Sequence, residues 1–362
     1  MTILKTPLYD SHIAAGAKTG PFAGYDMPLY YKEGVLKEHE WVRSHAGLFD
    51  VSHMGQIILE GAGVVAFLET ITPSSFAKTG HTVAKYTVLT NDKGGIVDDL
   101  IITRVDDTKF FSVINAGCKE KDIAWIKVHL PADVTLTRLD DRALIALQGP
   151  QAESALRDVV KFDASAMGYM RMQEAGDLFI SRLGYTGEDG FEISVPAAKV
   201  AALWAAFLAH DLVKPIGLAA RDSLRLEMGY PLYGHDINDE TTPLEADLGW
   251  VMGKNNQGFI GAAHVLDKPL ARKRVGIKLI DKGIAREGAE IRNDQNQVIG
   301  MLTSGGHSPT LKSSIGMGYV SAGYAETGTR IFVTVRGNSI AAEVAALPFI
   351  PARTKSAKKA AA

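Results

Sequence analysis

Apolar positions in the first two thirds of the chain fall into short runs whose spacing switches between a strand period and a helix period. Residues 97–105 (VDDLIITRV) and 109–114 (KFFSVI) are rich in β-branched and aromatic side chains, and Asp106-Asp107-Thr108 between them predicts a hairpin. Residues 142–147 predict another strand, closed by Gly149-Pro150 and followed by a short helix over 151–160. Two further runs, 177–181 and 191–195, flank the glycine-rich turn 184–190. After Pro196 the pattern changes: Val200, Leu203, Trp204, Phe207 and Leu208 lie on one stripe of a helix. A second helix is predicted over 219–227, with Leu218, Leu224 and Met228 turned inward.

Near residue 270 the pattern changes again. From Arg274 onward come short alternating or apolar runs at 274–280, 297–303, 315–320 and 330–335, separated by Asn293-Asp294, Gly305-Gly306, Gly323 and Gly337-Asn338. That is the signature of a separate all-β domain, a small barrel or sandwich. The expected division is therefore an α+β region over 1–270, made of two subdomains, and a β domain over 271–351. Residues 352–362, Lys- and Ala-rich without core positions, are expected to be a disordered tail.

Composition narrows the function classes. A chain of 362 residues with a hydrophobic fraction of 46% and a charged fraction of 22% has the makeup of a globular protein. Its net charge of −2 argues against a broad nucleic-acid-binding surface, though not against a local basic patch. The single cysteine, Cys118, excludes an intramolecular disulfide framework and suits a reducing compartment, so the expected location is cytoplasmic. No apolar run approaches the roughly 20 residues that span a bilayer, and no membrane association is expected.

Several segments could carry chemistry. Gly61-Ala62-Gly63-Val64-Val65-Ala66 follows an apolar run and matches the local form of a dinucleotide loop. The ribose-binding acid such a loop needs is missing from residues 79–91, which argues for a plain turn between strand and helix. In Gly94-Gly95-Ile96-Val97-Asp98-Asp99, a tight turn leads into a strand with two adjacent carboxylates. Alternation sends them to opposite faces, so one can be solvated while the other looks into a pocket. Glu192 sits between Phe191 and Ile193 and must face away from whichever side those two share, toward solvent or a cleft. Arg221 and Asp222 fall in the predicted first turn of the second helix, where Asp222 complements the helix dipole and Arg221 needs another reason. His53 and His235 lack a second histidine or cysteine at metal-ligand spacing, so no metal is expected.

Taken together, these motifs fall in the order of one family. The chain resembles the glycine cleavage T-protein family from about Lys5 to about Pro351. The resemblance rests on Thr6-Pro7-Leu8-Tyr9, residues 22–31, Gly47-Leu48-Phe49-Asp50-Val51-Ser52-His53-Met54-Gly55 and 86–99. It continues through Asn115-Ala116, Leu147-Gln148-Gly149-Pro150, 184–192, 217–227 with Leu232-Tyr233-Gly234, and Thr303-Ser304-Gly305. It implies a three-domain, cloverleaf-like α+β fold with a central folate pocket and a C-terminal barrel. It also implies the reaction: the aminomethyl group on the lipoyl arm of the H-protein is split, ammonia leaves and the methylene passes to tetrahydrofolate.

On that resemblance Asp99 is the catalytic carboxylate, and Tyr86, Asn115, Glu192 and Arg221 contact folate. Neither metal nor nucleotide is implied. The acidic H-protein implies a basic docking patch, for which Arg272-Lys273-Arg274 is a candidate. Pro351–Thr354 stand where some members carry a tyrosine contact. Two kinds of relative fit less well. Demethylating relatives are often fused to flavin domains, and none is present here. An iron–sulfur assembly relative carries a cysteine in the segment that here reads KNNQGFIG, 254–261.

Overall fold

A computed structural model describes residues 3–356. Two sheets pack face to face. One has six strands, in the order Arg171–Ala175, Leu178–Arg182, Gly190–Pro196, Arg142–Gln148, Ala46–Asp50 and Val213–Pro215. The other has five, in the order Ala84–Thr90, Ile96–Arg104, Lys109–Ile114, Gly55–Gly61 and Val134–Arg138. The predicted 97–105/109–114 hairpin is the antiparallel pair at the middle of the second sheet.

Alternation along these strands sorts the core into layers. Ala143, Ile145 and Leu147 face outward with Phe191, Ile193 and Val195, and the helices Ala152–Val160 and Ala197–Leu208 cover them with Leu156, Trp204 and Phe207. On the far side of the five-stranded sheet, Ile57, Leu59, Leu100 and Ile102 pack under the helices Val64–Ile71 and Lys119–His129. The inner faces meet each other: Leu144 and Ala146 from one sheet lie against Ile58, Phe111 and Val113 from the other. Phe111 meets Phe179 edge-on, with ring centroids 5.3 Å apart.

The Gly61-Ala62-Gly63 turn is structural. Gly63 caps the Val64–Ile71 helix, and a Cβ there would lie 2.6 Å from Asp133 Oδ2. The Asp133 carboxylate thus occupies the helix N-terminus that a dinucleotide phosphate would need.

The β-domain is a closed barrel, with strands in the order Arg272–Leu279, Ser313–Ser321, Val298–Ser308, Glu290–Arg292, Arg330–Val335 and Asn338–Ala345. An apolar cluster of Leu226 with Ile315 and Met317 and a set of buried polar contacts fasten it to the rest. The helix Leu218–Glu227 presents Arg225, whose Nη1 donates to Asp236 Oδ2 at 2.7 Å and whose Nη2 donates to Ser304 Oγ at 3.0 Å. Thr303 Oγ1 donates to Asp236 Oδ1 at 2.5 Å. Two residues on, Glu227 accepts Ser308 Oγ at 2.5 Å, Thr310 Oγ1 at 2.8 Å and Arg43 Nη2 at 2.7 Å.

Four expectations are corrected. The helix begins at Leu218, with Gly217 as its cap, so Asp222 lies beyond the first turn and pairs with Arg225 Nε at 2.8 Å instead of serving the dipole. The basic run is consumed internally: Arg274 is buried against the carbonyls of Ala246 and Gly229, Arg272 pairs with Glu245 and Lys273 with Asp247. The tail is not disordered at its start, because the Arg353 N–H donates to the Gly187 carbonyl at 2.7 Å and Lys355 Nζ donates to Ser165 O at 2.7 Å. Residues 357–362 lie outside the described residues. Asp98, finally, is fully buried, and neither of the paired acids is a solvated turn residue.

The barrel attachment yields a stability prediction. Asp236, fully buried, accepts from Arg225, Thr303, Ser304 and the Leu232 N–H. Asp236→Ala removes the buried partner of the Arg225 charge, leaving it only the exposed Asp222, and should destabilise the protein by about 3–5 kcal/mol. Arg157→Ala, which removes an exposed pair with Asp158, should stay within about 0.5 kcal/mol. Urea denaturation of both variants checks the contrast.

Candidate active site

The inter-sheet layer is apolar at one end and polar at the other. A bulge creates the polar end: the ladder between Ala84–Thr90 and Ile96–Arg104 pairs Leu89 with Asp98 and Thr90 with Ile96, leaving Val97 unpaired. Beyond it Asp99, Ile101 and Thr103 face the inner layer. Tyr86 is opposite Ile101, and Ile101 is opposite Val113, so Tyr86 and Asn115 share the face that carries Asp99.

These three residues form one unit. Tyr86 Oη donates to Asp99 Oδ2 at 2.9 Å, and Asn115 Nδ2 donates to Asp99 Oδ1 at 2.8 Å. Both oxygens of the carboxylate are therefore held by neutral donors. Burial, followed by the negative charge of Asp98, pushes the Asp99 carboxyl up to about 7 from an ordinary 3.8. Burial and then the Asp99 charge keep the Tyr86 phenol protonated well above its usual range.

Across the gap stands Glu192. Its neighbours Phe191 and Ile193 do share the outer core, so Glu192 points inward, into a cleft lined by Ile101, Val113, Ser181 and Leu183. Burial raises its carboxyl, and the Arg221 charge partly offsets this. The Arg221 guanidinium stacks over the Tyr185 ring, 4.8 Å from its centroid, which is the reason for its position that the helix dipole did not supply. Its Nη1 is buried without a hydrogen-bond partner among the described residues. A buried guanidinium N–H left open in a cleft beside a carboxylate is a ready donor for a polar ligand.

The fold thus brings Tyr86, Asp99 and Asn115 into contact, with Glu192 and Arg221 on the opposite wall. It adds two residues that the sequence did not single out, Tyr185 and Trp250, and gives His53 a setting. Tyr185, in the turn 184–190, carries the Arg221 stack and lies parallel to Tyr230, centroids 5.6 Å apart. Trp250, 68% exposed, stacks on Tyr86 at 5.5 Å, and only an unexplained tryptophan after Gly249 could have hinted at it. His53 is buried with Nδ1 unpartnered, and burial drops its imidazole to about 4, so it is neutral near neutral pH. His235 is far more exposed and pairs with Glu287.

The comparisons with known proteins agree along almost the whole chain. The profile of the GCVT N-terminal domain matches residues 8–256, and that of the glycine cleavage T-protein C-terminal barrel domain matches 272–350. The chain belongs to the glycine cleavage T-protein family. It is 44% identical to a mitochondrial aminomethyltransferase of Flaveria trinervia, over 96% of this chain and 90% of that one. It is 43% identical to an aminomethyltransferase of Prosthecochloris aestuarii, over 96% and 99%. The crystal structure of the glycine cleavage system aminomethyltransferase T from Bartonella henselae superposes with a TM-score of 0.95 at 41% identity, covering 98% of this chain and 100% of that one. The chain is accordingly an aminomethyltransferase of the glycine cleavage system, a transferase with tetrahydrofolate as acceptor substrate. Among the described residues no helix is long and apolar enough to cross a membrane.

The raised Asp99 carboxyl makes two measurable statements. If the ionised form is active, turnover should climb with pH through about 7, and this limb should vanish in Asp99→Asn. Stability runs the other way. A carboxyl whose folded value exceeds its unfolded value favours folding fully below about 3.8, and loses that contribution as pH rises through about 7. Relative to Asp99→Asn, the wild type should therefore weaken between those limits, which paired thermal melts at pH 4 and pH 8 would reveal.

Proposed function

We propose that Asp99 is the catalytic carboxylate of the aminomethyl transfer and that Tyr86, Asn115, Glu192 and Arg221 hold tetrahydrofolate beside it. The observation that carries this reading is the Asp99 carboxylate fixed on both oxygens, Oδ2 by Tyr86 and Oδ1 by Asn115, at the polar end of a narrow cleft. The pterin is flat, with an amide-like edge of donors and acceptors. A gap between two sheets suits its thickness, and a carboxylate such as Glu192 suits its donor edge. A site that pairs every group of that edge rejects rings that leave its polar atoms unmatched.

The donor is the S–CH2–NH2 group on the lipoyl arm of the H-protein. Its C–N and C–S bonds break, and the methylene forms two new bonds to folate nitrogens. The two folate N–H protons end on the departing ammonia and on the dihydrolipoyl thiol. Each cleavage builds iminium-like positive charge on the carbon. The ionised Asp99 stabilises that charge in a water-poor cleft, and with a value near 7 it is also basic enough to take an N–H proton in passing. No step requires a metal or a nucleotide. A reduced, buried Cys118 suits a reducing compartment, the cytoplasm on this reading, although the Flaveria relative is mitochondrial by name.

The H-protein partner must leave after every turnover, so its complex is weak and salt-sensitive. With Arg274 buried and Arg272 and Lys273 paired, the docking charges lie outside the 272–274 run. The Michaelis constant for H-protein should rise with ionic strength, as rim charges are screened over about 8 Å at physiological salt. Lys273→Ala should leave that dependence unchanged, and loss of the dependence in this variant would return docking to the run.

Asp99→Asn should fold, bind tetrahydrofolate and lose roughly 10²–10⁴-fold in turnover with H-protein, the range for a positioned acid/base group. Glu192→Ala and Arg221→Ala should instead weaken folate binding by about 1.5–3 kcal/mol each in calorimetry. Full turnover in the first variant would remove Asp99 from the chemistry, and unchanged affinity in both others would move the pocket.

A further inference from the structure

Behind the strand that carries Asp99 lies a second carboxyl pair. Asp98 points away from the cleft, beneath the Lys119–His129 helix, and Asp122 descends to it from the first turn of that helix. Both are 0% exposed. Donor atoms of Asp98, Asp122 and Cys118 all lie within 4.8 Å of one another. The charge of Lys121 acts on Asp122 without an ion pair to it: the Nζ is spent on the Val97 carbonyl, on Tyr233 Oη and, at 3.6 Å, on Asp239.

The partners of the two acids differ. Asp98 Oδ2 accepts the Asn115 backbone N–H at 3.2 Å, and Oδ1 accepts Asn115 Nδ2 at 3.0 Å. Neither oxygen of Asp122 accepts a hydrogen bond from any described residue. Two carboxyls this close and fully buried raise each other's hold on a proton, which favours one shared proton over two negative charges. The proton resides where no N–H stabilises the negative charge, which is on Asp122. Asn115 then joins this pair to the cleft, because its Nδ2 donates at once to Asp98 Oδ1 and to Asp99 Oδ1.

We propose that Asp122 is a positioning residue that acts as a neutral acid: its O–H donates to Asp98, fixing Asp98 as the acceptor that locks the Asn115 amide against Asp99. The inference rests on the reading of Asp99 as the catalytic group, but its first half, the buried protonated acid, does not. Burial, with the Asp98 charge next, pushes the Asp122 carboxyl up to about 11, so the proton stays through the working range of the enzyme. The groups facing this pair are Asp99 on its own strand, Cys118 and Lys121 on the helix side, and Tyr233 with Asp239 on the loop beyond.

The test uses two variants of the full chain. Asp122→Asn keeps an N–H donor toward Asp98 and should retain turnover and the pH limb near 7. Asp122→Leu keeps the volume and removes the donor. Asp98 then acts on Asp99 without a shared proton, so the limb should move upward by at least about half a unit, and turnover should fall roughly 10–100-fold, as for a misplaced reacting group. Infrared difference spectra at pH 8, wild type minus Asp122→Asn, should contain the C=O band of a protonated carboxyl. If that band is absent, the neutral acid does not exist; if Asp122→Asn shifts the limb and lowers turnover as much as the leucine variant, its donor is not what matters. Should Asp122→Leu fail to fold, the band and the asparagine variant still decide. An intact band together with full turnover in Asp99→Asn would overturn the catalytic reading instead.

Discussion

The layer between the two sheets is filled from both sides by residues two apart along each strand, and the chemistry occupies the end of the same layer that holds the core together. Leu144 and Ala146 on one wall and Phe111 and Val113 on the other exclude water from the middle. On the same faces stand Glu192, directly opposite Ala146 on the neighbouring strand, and Asn115, two residues beyond Val113. The low dielectric that makes the apolar part stabilising also makes any charge at the polar end expensive unless it is held by well-placed donors. Position and reactivity therefore follow from one packing arrangement.

Two ways of handling buried acids coexist in the molecule. Burial alone would raise Glu227, yet His39, Ser308 and Arg43 outweigh it and hold the carboxyl at about 2. It is permanently charged and ties the Leu218–Glu227 helix to the barrel loop around Ser308. Asp99 and Asp122 have no ion pair among the described residues and rise to about 7 and about 11. The first is a fixed charge for structure. Of the other two, Asp99 exchanges its proton near neutral pH beside the cleft, as proton chemistry requires, while Asp122 keeps its own.

The barrel matters to the site through that same helix. Arg221 faces the cleft, Arg225 faces Asp236 and Ser304, and Glu227 faces Ser308, so one helix carries a wall of the cleft and the main polar attachment of the barrel. The chain beyond the barrel closes the arrangement, with Arg353 bonded to Glu188 beside the turn that holds Tyr185. Removing the barrel would expose these charges and loosen the Arg221 wall.

Much of this was legible in the chain. The hairpin over 97–114, the helix after Pro196 and the all-β character of the last ninety residues or so followed from period and turn residues, because local sterics and one-sided burial decide them. Alternation fixed that Asp98 and Asp99 diverge and that Glu192 opposes Phe191 and Ile193. Alternation has no information about what lies opposite a face. It left Glu192 between solvent and cleft, allowed Asp98 to be solvated when a helix buries it, and gave no sign that Trp250 would stack on Tyr86. The run at 272–274 looked like a free basic patch because its partners, Glu245, Asp247 and two carbonyls, are remote or featureless in the sequence. Local pattern sets an element and its two sides; which side becomes a site depends on contacts between residues far apart in the chain, and only the packed structure contains them.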